Sequence, residues 1–529
     1  MEKQFFMKKM LVLSFLFISL ALNAQLLKND SVVMTIADKQ VSLSEFEFIA
    51  GKNNGVNLSD EKSLKEYVEL FKIFKLKVAE AEELKIDTTK AFNEELNSYK
   101  AQLVAGYLRD RNAEEDVAKT IYDKGSEYLS ISLILYPLPE KSLPKDTVAV
   151  YEKVMQAANR IQKGEDFDKV GLEIAETSDE QEYKIFYAML PSFLPLEHPK
   201  PLEEAAYSMK TGEISRPIRT QHGFYLIKVN DRKPYPGKIH IAHVRIPLKS
   251  DSIQAAEEAQ RLADELYNKA LAGEELASLI KEYSLDNEQA NGVLPPFGPG
   301  QIIKPIEDVA FSLTSKGELS KPFLTEFGYH IVQLIEKASR PSFEQEKERI
   351  VSTMSNNNRN FELFNGFDER LKKEFNYTFY PEAYAELEKI CEDCFPGTTD
   401  FALRVKEMDK VLFRIDGQDV PLFEFSRYLT TNPISTQTYA GDFMKEVYDL
   451  FIREVVTSLE KDQLLEKYPE ILLLIQEYRD GMLLFEISNQ KIWSKSADEQ
   501  KTLEDRWIAD LNKKYKTSIN WNLLKKLKK

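Results

Sequence analysis

At 529 residues the chain exceeds what one hydrophobic core can organise, and about three to five modules are expected. With 43% hydrophobic and 30% charged residues, the composition is that of a folded, soluble protein. Its 71 basic residues against 86 acidic ones leave a formal charge of −15, which argues against a nucleic-acid partner, because a phosphate backbone needs a cationic surface. The basic tail "NLLKKLKK" reads as a solvated helix end.

The first residues read as an address. "MEKQFFMKKM" carries Lys3, Lys8 and Lys9, an uncharged run continues to Leu22, and Ala24 supplies a small residue before Gln25. This is the pattern of a secretory signal peptide over 1–24. The run is too short for a membrane span, and no later segment is long and apolar enough for one. The expectation is an exported soluble protein, periplasmic in a cell with an outer membrane, with no integral membrane segment in the mature chain.

A module over 25–125 opens with the β-like "IADKQVSLSEFEFI" and continues with helical periodicity through Leu70, Phe71 and Phe74. The next, over 126–234, runs from the strand-like "ISLILYPLP" through helical sequence to "GEISRPIRTQHGFYLIKV", which starts at Gly212. The Pro/Gly-rich "DRKPYPGK" then reads as a linker. Residues 237–339 repeat the scheme, from "IAHVRIPLK" to "GELSKPFLTEFGYHIVQL", which starts at Gly317, an offset of 105. Strand, helices, then strands describe a compact α+β unit.

A helical connector follows over 340–410. It holds "CEDC", whose Cys391 and Cys394 supply only two of the ligands a structural zinc needs; a local disulfide or two idle thiols is the expectation. The last module, 411–529, repeats the first. Ile36, Val41, Leu43, Glu45 and Phe46 recur as Ile415, Val420, Leu422, Glu424 and Phe425 at an offset of 379, and "YVELFKIF" from Tyr67 is echoed by "YDLFIREV" from Tyr448. Two related helical modules bracket the chain.

Two of the five histidines, His243 and His330, lie in short apolar strand-like runs, where an imidazole is satisfied by one hydrogen-bond partner. His240 and His243 are three apart on one strand, so they face opposite sides and cannot share a metal ion. Neither a phosphate-binding glycine loop nor a nucleophile motif is present. No metal and no cofactor are expected.

The stretch 237–339 resembles the parvulin-type (PpiC-like) peptidyl-prolyl cis/trans isomerases. The resemblance rests on "IAHVRIPL", "EEAQRLADELYNKALAGEELASLIKEYSLD", "NGVLPPFGPGQIIKPIEDVAFSL" and "GELSKPFLTEFGYHIVQL", in that order. It implies an antiparallel sheet with helices, and two histidines on adjacent strands beside the site. A polar network of His243, Asp286, Thr325 and His330 is implied, with a substrate pocket of Leu294, Phe297, Ile302 and Ile306. Asp286 stands where such proteins carry Cys or Asp and would fix the tautomer of the adjoining imidazoles. The chain departs from the family in "LPPF", where "LGxF" is common, and in Ile302 and Ile306, where Met and Phe are common.

The segment 126–234 resembles the same family without its histidines: Leu133 stands at the position of His243 and Tyr225 at that of His330. A degenerate copy kept for packing or peptide contact is expected, with His198 and His222 on its surface. The flanking modules resemble the helical chaperone part of SurA-like and PrsA-like foldases. The implied fold is α+β, with two tandem parvulin-like domains bracketed by helical chaperone modules. The implied activity is isomerisation of X-Pro bonds in unfolded or nascent exported polypeptides; the alternative is a non-catalytic holdase that uses parvulin folds to bind peptides. The duplicated frame leaves a homodimer open.

Overall fold

The computed structural model describes residues 30–53, 56–139, 142–178, 183–220, 222–250, 252–283, 292–357, 359–396, 398–406, 408, 410–432 and 443–528. The expected signal peptide, its cleavage point at Gln25, and Asp286 lie outside the described residues. The chain divides into two compact units, one of residues up to Arg109 together with Glu454 onward, the other from Asp110 to Arg453.

In the first unit β1 (Val32–Ile36) and β2 (Lys39–Ser42) form a hairpin in which Ile36 faces Lys39 and Ala37 takes a left-handed φ of 52°. Ser42 ends the hairpin by capping α1 (Leu43–Gly51), its hydroxyl accepting from the Glu45 amide at 3.1 Å. Helix α1 lays the fully buried Phe46 against Tyr67 and Phe71 of α2 (Glu61–Glu83), with ring centroids 5.3 and 5.2 Å away. Tyr67 and Phe71 are one helical turn apart and share the buried face, whereas Leu70 of the same run is 65% exposed.

The far end of the chain completes this unit. The strand Thr517–Ile519 adds to β1, with Met34 facing Ile519, and the helix Glu470–Ser488 packs on α2 and α3 (Lys90–Tyr107). Lys75 of α2 reaches Glu45 and, at 2.5 Å, Asp480. Burial opposes its charge, but the two carboxylates outweigh burial and hold the ammonium ionised.

In the second unit α4 (Arg111–Lys124) leads into a first α+β body: β3 (Glu127–Pro137), α5 (Pro144–Gln162), α6 (Phe167–Thr177), β4 (Phe186–Met189), α7 (Lys200–Ser208), β5 (Ile218–Thr220) and β6 (Gly223–Pro234). Its antiparallel sheet has the order β4–β3–β6–β5. A second body follows: β7 (Lys238–Ile246), α8 (Ile253–Leu271), α9 (Leu276–Tyr283), α10 (Lys304–Ser312), β8 (Phe323–Thr325) and β9 (Gly328–Ala338), with sheet order β7–β9–β8. Where the first body has β4, facing Ser132 with Met189, the second has, among the described residues, the isolated bridge between Ala242 and Val293.

The repeated "GE(I/L)S" has a physical origin. Gly212 and Gly317 both adopt left-handed φ, 81° and 85°, which glycine accepts without steric cost, and donate their amides to Val229 and Leu334, each at 2.7 Å. Glu213 accepts the Lys210 amide at 2.8 Å, and Glu318 those of Thr314 and Ser315 at 2.7 and 2.9 Å. Ser215 and Ser320 exchange bonds with Ile227 and Val332, pinning the segment to the closing strand.

Helices α11 (Phe343–Asn356) and α12 (Asn360–Glu374) pack Ile350, Met354 and Leu363 on Ala118 and Ile121 of α4. Beyond β10 (Thr378–Phe379), α13 (Pro381–Cys391) and α14 (Thr399–Lys406), the hairpin of β11 (Val411–Ile415) and β12 (Gln418–Pro421) turns at Asp416 and Gly417 and leads into α15 (Leu422–Thr431). Here Phe425 meets Tyr448 and Phe451 at 6.0 and 5.4 Å, the counterpart of Phe46 with Tyr67 and Phe71. The boundary between the units falls inside the helix Phe443–Lys467, so 411–529 contributes to both. Cys391 and Cys394 are buried free thiols, and burial pushes Cys391 up to about 12.

Candidate functional site

Strand alternation sorts the second body's side chains onto two faces. Ala242, Val244 and Ile246 lie under α8 and α9 with Ala259, Ala263, Leu279 and Ile280. Ile239, Ile241, Val332 and Leu334 take the opposite face, with Phe297 and with Ile306 and Ala310 of α10. By the same alternation His243 and His330 belong to this second face, and His240 to the first. Among the described residues no cluster of metal-ligating side chains occurs.

Three buried polar side chains meet there. His243 Nε2 and His330 Nδ1 are 2.7 Å apart, with near-parallel rings, and His330 Nε2 lies 2.7 Å from Thr325 Oγ1. The Thr325 oxygen also accepts the Phe327 amide at 3.0 Å. Each contact holds one proton, so their directions are linked. If Thr325 donates, His330 carries its proton on Nδ1 and gives it to His243 Nε2, leaving the His243 proton on Nδ1. If the order reverses, His243 donates through Nε2 and Thr325 accepts. The chain can thus relay a change of tautomer across the sheet without gaining or losing charge.

The four apolar residues expected to form the pocket converge on this face: Phe297 and Ile306 are buried, and Leu294 and Ile302 pack on them half-buried. The sequence reading missed Phe323. It faces His330 across β8 and β9, lies 5.5 Å from that imidazole and packs on the Phe297–Ile306 cluster, so it joins the polar chain to the apolar wall. The loop before α10 is anchored from within. Phe297 and Ile239 exchange backbone bonds at 2.8 and 2.9 Å, Gly298 donates to Gln301 Oε1 at 2.9 Å, and Gly300 donates to the buried Glu307 carboxylate at 2.6 Å.

The first body keeps the scaffold and replaces the chemistry. Leu133 faces Ile227 and Leu135 faces Tyr225, the same registers as His243 with Val332 and Arg245 with His330. Leu133 and Tyr225 lie buried in one apolar cluster with Phe193 and Leu202, the counterparts of Phe297 and Ile306. Thr220 still accepts an amide, from His222 at 3.1 Å, as Thr325 does from Phe327. His222 is exposed, as expected. The expectation of a surface position does not hold for His198: it is half-buried, its ring edge-on to Phe193 at 4.6 Å, and burial lowers its basicity.

The family model described as Rotamase, PPIC-type PPIASE domain, matches residues 134–231 and again 243–336. Chaperone SurA of Pseudomonas fluorescens is 27% identical over 268 residues, which cover 50% of this chain and 59% of that protein. Chaperone SurA of Pseudomonas syringae pv. syringae is 23% identical over 380 residues, covering 68% and 84%. The chain thus spans about three fifths of the length of the first of these relatives. Among solved structures, the peptidylprolyl isomerase PrsA of Bacillus anthracis matches at 25% identity over 22% of this chain and 49% of its own, with a TM-score of 0.18. NmPin, the parvulin of Nitrosopumilus maritimus, matches at 36% identity over 19% and 97%, with a TM-score of 0.16. Both α+β bodies are thus matched by the one family model of PPIC-type domains, and across a larger part of its length the chain is similar to SurA chaperones, which supports a parvulin-type, PpiC-like assignment of the two bodies within a SurA-like architecture.

Proposed function

We propose that the second body is a peptidyl-prolyl cis/trans isomerase, carried by an exported chaperone whose clients are unfolded, proline-containing polypeptides. The observation that supports this most is the buried Thr325–His330–His243 chain on the same sheet face as Phe297 and Ile306. Rotation about an X-Pro bond faces a barrier of about 20 kcal/mol from amide resonance. An apolar wall that holds the proline ring and excludes water, beside fixed dipoles that favour the twisted amide, lowers it without any covalent bond. In this reading the role of Asp286, taken from the parvulin resemblance, is to select through its carboxylate the order in which His243 carries its proton on Nδ1. The signal-like N-terminus and the SurA likeness support export to a periplasm; among the described residues no helix is long and apolar enough to cross a membrane.

A holdase function has support of its own. Next to Tyr99 and Tyr478, whose rings stack at 3.7 Å, the first unit contains a cavity of about 920 Å³ floored by Phe92 and Met482, with Phe485 60% exposed at its side. One pair of assays separates the two activities. Replacing His243 by Ala should abolish prolyl isomerisation and leave suppression of client aggregation intact. Unchanged isomerisation would remove the site assignment.

A further inference from the structure

The pocket loop of the second body rests on the first body. Gly300 has φ 82°, and a Cβ added there would lie 1.7 Å from the Ser192 carbonyl oxygen and 2.6 Å from its carbon, so the two backbones touch. Ser192 is not a loose end: the next residue, Phe193, exchanges backbone bonds with Leu129 of β3 at 2.8 and 3.1 Å. Tyr235 of the linker approaches the same loop, its hydroxyl 3.0 Å from where a Cβ on Gly298 would stand. Its amide is tied to Ser126 at 2.8 Å, at the entrance to the first body. The loop that carries Phe297 and Ile302 is therefore bounded outside its own body by two points of the first body's frame.

The corresponding loop of the first body shows what this position can be used for. Leu194 donates to Glu197 as Gly298 does to Gln301, each at 2.9 Å, which aligns Leu196 with Gly300. Leu196 takes the same left-handed backbone, φ 77°, a strained conformation for a branched side chain. Its side chain packs against the buried cluster that holds Ala118 and Ile121 of α4 and Ile350 and Met354 of α11. Each body thus turns this loop outward as a joint, the first onto the connector helices and the second onto the first body.

We propose that the first body is a backstop that positions the proline pocket of the second, with Gly300 as the positioning residue. This rests on the isomerase reading above. A side chain at 300 cannot enter the space held by Ser192, so the loop must withdraw and shift Phe297 and Ile302, and a misplacement of this kind loosens substrate positioning. Gly317 of the same body has a similar φ, 85°, with nothing within 4 Å of its Cβ position, and so serves as the control for backbone strain alone.

The test compares the full-length chain with its Gly300→Ala, Gly317→Ala and Tyr235→Ala variants, using an X-Pro tetrapeptide and amide hydrogen exchange. The expected result is a KM raised roughly tenfold in Gly300→Ala with kcat little changed. Exchange at the Gly298 and Gly300 amides should accelerate while β7 and β9 stay protected. Tyr235→Ala should show the same effects in weaker form, and Gly317→Ala neither. Equal effects from Gly300→Ala and Gly317→Ala, or loop protection unchanged in both Gly300→Ala and Tyr235→Ala, would overturn the backstop. Should Gly300→Ala fail to fold, Tyr235→Ala, which adds no atoms, carries the comparison. A folded parent that accelerates no peptide would refute the isomerase reading alone, because the exchange measurement still decides the backstop.

Discussion

His243 and His330 are not cross-strand partners: His243 faces Val332 and His330 faces Arg245, yet their ring nitrogens meet at 2.7 Å on the diagonal. Diagonal side chains on one sheet face come within reach of each other only when they are long or flat. The near-parallel imidazoles, tilted by 9°, close that gap, and Thr325 on the neighbouring strand ends the chain.

Removing the end of this chain should cost both stability and rate. Thr325→Val keeps the shape and deletes the hydroxyl, so His330 loses one bond and the Phe327 amide its acceptor. The expected destabilisation is about 1–3 kcal/mol in urea unfolding. Isomerase kcat/KM should fall about tenfold or more, because the histidine tautomers are no longer coupled to a fixed donor. A folded variant with unaltered kinetics would dismiss Thr325 from the site.

The first body's aromatic replacement should be silent in catalysis. Tyr225 occupies the register of His330 inside an apolar cluster, and burial raises its phenol. Tyr225→Phe is expected to leave the isomerase rate of the whole chain unchanged. A large loss of rate, with the exchange protection of the Gly298–Gly300 loop unchanged, would contradict this expectation and assign Tyr225 a part in turnover.

How far the sequence discloses this site differs from residue to residue. The histidines stand out because each sits in a strand-like run whose alternation puts it on one face, and the parvulin resemblance supplies the partner strand. Phe323 does not, because β8 spans only three residues after a proline and has no periodicity to read. His198 sits between Glu197 and Pro199, a polar setting that reads as surface; its burial against Phe193 comes from folding of the loop. The aromatic repeats at Phe46 and Phe425 are legible as a constant offset. The pairing of Thr517–Ile519 with β1 joins opposite ends of the chain, and nothing local specifies it.

A buried ion pair ties the connector to the first body. Arg359 bonds both Glu203, on α7, and Glu362 at 2.7 Å, and burial raises the Glu203 carboxyl. Arg359→Ala strands that carboxylate away from water, so a loss of about 3–5 kcal/mol is expected in denaturant unfolding. Arg359→Met combined with Glu203→Gln should recover much of it. No recovery in the double variant would show that the cost lies in packing rather than in charge.

Glu318 gives the second body a defined acid response. Its carboxylate accepts the Thr314 and Ser315 amides and the Thr314 hydroxyl, bonds that hold its pKa below the usual value. A depressed folded pKa adds stability above the unfolded value of about 4.3 and loses it as pH falls through the folded one. The Tm of Glu318→Gln should therefore lie below that of the parent at neutral pH, with the gap closing in acid. A gap that widens on acidification would reverse the sign of this linkage.

The central claim is tested most directly by the cis-to-trans rate of a set of X-Pro tetrapeptides with the full-length chain, beside its Asp286→Ala variant. The account predicts acceleration by the parent and its loss in the variant, with both proteins folded. No acceleration by the folded parent across the whole set would contradict it and leave a chaperone that uses parvulin folds only to bind.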